Sequence, residues 1–250
     1  MFILFSLIVL RITGALAFNS LWSRAEFSPR IRGIFIFALS AMIYIWIGGK
    51  LVHEPETLLE YGVMMLKELF VGFALGFGMD VSIMVIRFAT SIMDFSMGLN
   101  MGQIYDPQTN SQATVTTNLF SIGIMLVFFT SNGALKFFQI LLSTLDKIPF
   151  GNVQITTDLA RFMLETFNAN IILGLQFAFP IIGVELLTEV AIGIVMRVIP
   201  QINIFTLNFQ LKIIVGMMML LFLYNPLSDK LYFILNRMYS TMEEIIRLMS

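Results

Sequence analysis

The sequence has no cysteine and a single histidine, His53. That excludes disulfides, thiolate metal sites and cysteine nucleophiles. His53 lies in the polar stretch Gly48–Glu60 and is most simply a solvated loop residue, not a metal ligand. No Ser/His/Asp or Cys/His arrangement is visible, and neither G-x-x-x-x-G-K-S/T nor G-x-G-x-x-G is present to cradle a phosphate. Serine and lysine are available for an intramembrane hydrolase, but no spacing pairs a nucleophile with a base. The chain therefore reads as no enzyme, with no cofactor and no metal. Charge is scarce as well: 12% of residues carry it, against about 25% in soluble domains. With a net charge of −1, nothing points to nucleic acid. No Lys or Arg precedes the apolar run Phe2–Leu10, so a signal n-region is missing although Ala15-Leu-Ala17 resembles a cleavage site. An uncleaved first helix is expected.

What the chain has instead is hydrocarbon: 58% hydrophobic residues and a mean hydropathy of +0.87. Several stretches approach the ~20 apolar residues that cross a bilayer. Six apolar blocks can be drawn: Met1–Phe18, Ile31–Ile47, Tyr61–Leu99, Val115–Leu142, Phe162–Val198 and Ile202–Tyr224, followed by a less apolar tail, Leu227–Met249. Backbone polar groups in lipid are satisfied only by helices and closed barrels, and no short alternating segments suggest a barrel. The fold class is all-α: a polytopic membrane protein of about six helices in one compact unit.

Two blocks are too long for a simple span. Tyr61–Leu99 is either two short helices broken near Gly76–Gly78 or one long helix projecting from the bilayer. Phe162–Val198 poses the same question around Pro180, since proline removes a backbone hydrogen bond and kinks or splits a helix. Its apolar arm and that of Ile213–Tyr224 meet through Pro200-Gln201 and the polar run to Lys212, which reads as a helical hairpin with a polar tip. Loop charges orient the chain weakly: Arg24, Arg30 and Arg32 against Glu26 give +2, and Lys50 against Glu54, Glu56 and Glu60 gives −2. By the positive-inside bias the first loop is cytoplasmic.

Charged residues nevertheless sit in or at the ends of the apolar blocks: Arg11, Lys67, Glu68, Asp80, Arg87, Asp94, Glu185, Glu189, Arg197 and Lys212. Each costs at least ~2.5–3.5 kcal/mol at a bilayer centre, and the balance of acidic and basic residues suggests pairing. Asp80, Arg87 and Asp94 recur at two-turn intervals along one helix face. A proton or ion relay is one reading; ion pairs between helices or subunits is the plainer one, since no histidine neighbours Glu185 or Glu189 and no acidic cluster forms. Met93, Met97 and Met101 form a further stripe at four-residue intervals, leading into Gly98 and Gly102 and ending at Pro107. Such a stripe is ordinary core packing, but methionine also conforms to irregular surfaces and would seal a constriction.

Two segments resemble the family of the flagellar biosynthetic protein FliR and its injectisome counterpart SctT. One is Met97-Gly-Leu-Asn-Met-Gly-Gln-Ile-Tyr-Asp-Pro107, with a Met-Gly-Leu start and an Asp-Pro end; the other is Pro200-Gln201 through Phe205. Met101 and Ile104 stand where family members often carry aromatic residues, a departure that keeps the loop apolar. The C-terminal half is also similar to the small partner protein FliQ through Pro180, Gln201-Ile-Asn203, Thr206-Leu207, Phe209 and Lys212-Ile213.

The resemblance implies a FliP-like part over residues 1–160 and a FliQ-like helical hairpin over 161–250. It implies a non-enzymatic subunit of the type III protein export gate in the bacterial inner membrane and flagellar basal body, passing unfolded export substrates. FliP-like and FliQ-like subunits, FlhB-like and FlhA-like export proteins and membrane lipid are the implied partners. A pore plug or gate would comprise Met97, Gly98, Met101, Ile104, Tyr105, Asp106 and Pro107. Asp80, Arg87, Asp94, Glu185, Glu189 and Lys212 would make intersubunit polar contacts, and the hairpin tip at Pro200, Gln201 and Asn203 would face the cytoplasmic entrance. Flagellar and injectisome systems share these motifs. The alternative is a small-molecule or ion transporter, with Asp80, Arg87, Asp94 and Glu185 lining a midplane site, though no inverted repeat of the transporter kind is visible.

Overall fold

A computed structural model describes residues 2–19, 21, 28–48, 54–102, 104–106, 111–199 and 204–250. Among them the chain forms eight α-helices: α1 (Phe2–Ala17), α2 (Pro29–Ile47), α3 (Leu58–Ser96), α4 (Val115–Thr130), α5 (Gly133–Lys147), α6 (Thr157–Val198), α7 (Ile204–Phe222) and α8 (Tyr224–Met249). Between α3 and α4 lie a 3-10 turn, Leu99–Gly102, and two short antiparallel strands, β1 (Ile104–Asp106) and β2 (Ser111–Ala113), with Ile104 opposite Ala113 and Asp106 opposite Ser111. α2, α3 and α6 are each long and apolar enough to cross a membrane, and the bent pairs α4–α5 and α7–α8 bring the total to as many as five spans. The fold is that of an all-α polytopic membrane protein.

Local chemistry explains most boundaries. Ser28 caps α2, its hydroxyl accepting from the Ile31 amide at 3.4 Å; Pro29 occupies the first turn, and Gly48 closes the helix in the left-handed region. Arg30 and Arg32 therefore belong to α2 and not to the loop before it. α3 runs unbroken for 39 residues, so the block from Tyr61 is one long helix as far as Ser96, with no break at Gly76–Gly78. α6 likewise continues through Pro180 for 42 residues. The block Val115–Leu142, by contrast, is two helices. Asn132 takes φ 58°, and a Cβ on Gly133 would stand 2.4 Å from the Tyr239 hydroxyl and 2.5 Å from Phe128. The chain turns where only a side chain of zero size fits. The C-terminal tail is itself a helix of 26 residues.

The chain forms two compact units, each assembled from separate stretches: 1–82, 128–167 and 235–250 in the first, and 83–127 and 168–234 in the second. In the first, α1 crosses α3 so closely that a Cβ on Gly72 would lie 2.0 Å from the Arg11 carbonyl oxygen, and one on Gly14 would lie 2.4 Å from that of Leu69. The small residues Gly72 and Gly76, four apart, are the helix-approach pattern of membrane proteins. They explain why glycines in α3 do not break it: they are docking points for a neighbouring helix. α2 flanks α1 through Phe5, whose ring meets those of Phe37 and Tyr44 edge-on at 5.3 and 5.9 Å.

At the heart of this first unit is a fully buried ion pair. Arg11 Nε donates to Glu68 Oε2 at 2.7 Å, with both side chains shut off from solvent. Arg11 Nη1 donates to the carbonyls of Thr144 and Ile148 at 3.1 and 2.9 Å, and its guanidinium lies 4.1 Å from the centre of the Phe150 ring. Glu68 Oε1 accepts from the Gly151 amide at 3.1 Å. Three carbonyl or carboxylate acceptors thus surround the cation, and a backbone donor completes the anion. The pair ties α1 and α3 to the last turn of α5 and the segment after it.

Candidate functional site

The second unit contains the segment that the sequence marks out. α3 ends in its core: Met93 and Met97 are fully buried beside Ala89, Phe177, Ala178 and Ile181, and Phe120 meets Phe177 edge-on at 6.0 Å. The methionine stripe is packing for its first two members. Gly98 then stops the helix with φ 75°, a conformation other residues rarely adopt. A Cβ there would make only ordinary contact with Phe209, at 3.5 Å, so it is the backbone angle that calls for glycine.

From Gly98 the chain makes its 3-10 turn and the β1–β2 hairpin and comes back to α4. The return is fixed by Asp94. Its Oδ2 accepts from the Thr117 hydroxyl at 3.0 Å and from the Thr114 hydroxyl, while Thr114 Oγ1 accepts from the Thr117 amide at 3.3 Å. Thr114 is thus the N-cap of α4, and the Asp94 carboxylate sits where a helix start favours negative charge. One buried acid in the last turn of α3 clamps both ends of the excursion. The sequence held a signal for this, the Thr-x-x-Thr spacing 114–117 at the head of an apolar block, but nothing in it joined that spacing to Asp94.

Beneath the turn, α6 and α7 present two polar rungs. Lys212 Nζ donates to Glu189 Oε1, a partly exposed pair. One turn along, Glu185 is buried, and neither carboxylate oxygen has a partner among the described residues. It stands over Gly216 together with Met97: a Cβ on Gly216 would lie 2.3 Å from the Met97 sulfur and 3.0 Å from Glu185 Oε1. Met97, Glu185 and Gly216 therefore meet at one point, with the base of the excursion seated on it. Sequence reasoning named Met97 and Glu185 separately and missed Gly216, whose only signal is a small residue in an apolar helix.

Asp80 and Arg87 are half-buried on α3. Of the plug candidates, Met101, Ile104, Tyr105 and Asp106 are placed by backbone alone. Pro107, the tip residues Pro200, Gln201 and Asn203, and His53 fall outside the described residues. Among the described residues no cluster of His, Asp and Glu could hold a metal ion.

Comparison with known proteins gives this arrangement its context. The model of the family described as bacterial export proteins, family 1, matches residues 2–238. The chain belongs to that family. This export protein is 25% identical over 210 residues to the flagellar biosynthetic protein FliR of Escherichia coli K12, covering 83% of this chain and 79% of the relative. It is 31% identical over 172 residues to the protein of that name from Bacillus subtilis, covering 65% of this chain and 64% of that one, just under two thirds of its length. A relative of the same name from Buchnera aphidicola (strain Bp) is 25% identical across 83% of this chain and 72% of its own. Membership makes this export protein a structural component of secretion and not an enzyme.

Proposed function

We propose that this chain is a non-enzymatic subunit of the flagellar type III export gate in the bacterial inner membrane. In this reading it closes the path of unfolded export substrates with the segment between α3 and α4. The observation that carries the reading is the seat of that segment. It is held at both ends by the buried Asp94–Thr114–Thr117 cluster and rests on Met97 against Gly216. A segment fixed at both ends blocks a passage without leaving it. The family match and the names of the relatives, flagellar biosynthetic proteins, supply the system.

Within this proposal Met97 and Gly98 are the hinge of the plug, and Met101, Ile104, Tyr105, Asp106 and Pro107 form its body. The apolar outer faces of α6 and α7, including Leu187, Val190, Met218 and Leu221, meet FliP-like and FliQ-like subunits, with residues 161–250 taking a FliQ-like place beside a FliP-like part. Asp80 and Arg87 supply polar contacts at those interfaces, alongside the Glu189–Lys212 pair, whereas Glu185 is buried within the chain. FlhA-like and FlhB-like proteins stand next to the tip at Pro200, Gln201 and Asn203. The test is a gentle detergent extraction of the chain co-expressed with its operon neighbours, followed by native mass spectrometry. One copy bound to several copies of two helical partners is the expected result. A stable monomer or homo-oligomer that ignores those neighbours would overturn the reading.

A further inference from the structure

A groove of about 510 Å³ runs along the first unit between the end of α1, the first half of α3 and the segment before α6. That volume falls in the usual range of ligand sites, ~300–1,000 Å³. Its walls are hydrocarbon: Phe18, Leu66, Phe70, Phe73 and Ile155 line it, with Phe18 meeting Phe73 edge-on at 5.7 Å and Phe70 tilted against Phe73 at 6.2 Å. Leu66 and Phe18 are 67% and 53% exposed, so the groove opens outward. One charged group lines it, Lys67.

Lys67 makes no hydrogen bond or ion pair among the described residues. Its sequence neighbour Glu68 does not serve, because that carboxylate points inward and is taken up by Arg11 and the Gly151 amide. Glu60, two turns earlier, accepts from the Glu56 amide. Among the described residues, a cation in an apolar groove on a spanning helix thus stands without an anion, a costly state in lipid. A lysine stem lies along hydrocarbon while its ammonium reaches for a polar group.

We propose that this groove holds an anionic phospholipid, one acyl chain lying on the Phe18–Phe70–Phe73 rings and the phosphate meeting the Lys67 ammonium. The chemistry selects both parts. Inorganic phosphate has nothing to place against the rings, and a neutral hydrocarbon leaves Lys67 unpaired. The site shares no residue with the plug segment and needs only that the chain lie in a membrane, so it stands or falls independently of the export-gate reading.

The test uses the full chain, with whatever subunits accompany it, reconstituted in bilayers of equal phosphatidylglycerol and phosphatidylcholine and released for native mass spectrometry. Phosphatidylglycerol is retained in preference, and Lys67→Gln lowers that preference about tenfold, equivalent to about 1.4 kcal/mol, while Lys67→Arg keeps it. Val63→Glu gives a second route: Val63 is 46% exposed and four residues before Lys67, the spacing at which a helical Glu pairs with Lys. An internal carboxylate there displaces the phosphate and produces the same loss without removing the cation. Retention of both lipids alike by the wild type, or an unchanged preference in Lys67→Gln and Val63→Glu, would overturn the site. So would a carbodiimide crosslink from Lys67 to an acidic residue of another subunit, which would assign the groove to a partner helix.

Discussion

At the scale of single residues, three of the buried charges, Arg11, Glu68 and Asp94, have a structural task. Arg11 and Glu68 carry opposite charges shut off from solvent and pair with each other and three backbone groups, with only Arg11 Nη2 lacking a hydrogen-bond partner among the atoms of the pair. Removing one partner strands the other: Glu68→Leu lowers stability by about 3–5 kcal/mol, whereas Arg11→Met with Glu68→Leu costs less than either alone. Thermal unfolding in detergent of both single variants and the double variant checks this, and additive losses would contradict it. Asp94 works locally in a different way. Asp94→Ala leaves two buried threonine hydroxyls without their acceptor, a loss of about 1–3 kcal/mol. It also speeds hydrogen exchange in the amides of 98–114 more than elsewhere. Unchanged exchange there would show that the excursion is held by something other than the acid.

At the scale of elements, glycine sets the architecture. Gly72 lets α1 and α3 touch backbone to backbone, so Gly72→Ala pushes two helices apart and lowers the unfolding midpoint, while Gly33→Ala, with nothing within 4 Å of its Cβ, does not. Equal effects at the two sites would contradict the close crossing. The same glycines show what was legible in the sequence and what was not. Apolar length is local information, so the helical class, the span-forming α2, α3 and α6 and the end of α3 at Gly98 could be read directly. Whether Gly76–Gly78 breaks α3 could not, because a glycine facing a neighbour and a glycine ending a helix look alike in one dimension. The break at Asn132-Gly133 carried a local signal, an Asn-Gly dipeptide of the turn-forming kind, but the apolar run on both sides outweighed it, and the contact with Tyr239 that demands glycine there comes from a residue more than a hundred positions away. The β1–β2 hairpin is three residues a side, too short for any alternation to register. Arg11 and Glu68 were both noticed as misplaced charges, but a partner 57 residues off is set by helix packing and not by spacing.

At the scale of the whole molecule, a great deal of apolar surface faces outward. Large hydrophobic side chains are exposed along α2, α4, α6 and α7, among them Trp46, Leu126, Leu187 and Phe222. For a chain with helices of spanning length, that surface meets lipid or partner helices, since water would penalise it by roughly 25 cal/mol for each Å². Such a chain is at its most stable in its assembly, and extraction without partners should shorten its lifetime in detergent. The plug reading concerns the same assembly: a segment short enough to be held at both ends, placed between the 39-residue α3 and the shorter α4. The direct measurement is conductance of the complete gate in planar bilayers, comparing wild type with a variant in which Asn100–Gln112 is replaced by a Gly/Ser linker of equal length. The account predicts an assembled complex of unchanged composition that leaks ions at rest. An assembled complex as tight as wild type would contradict it.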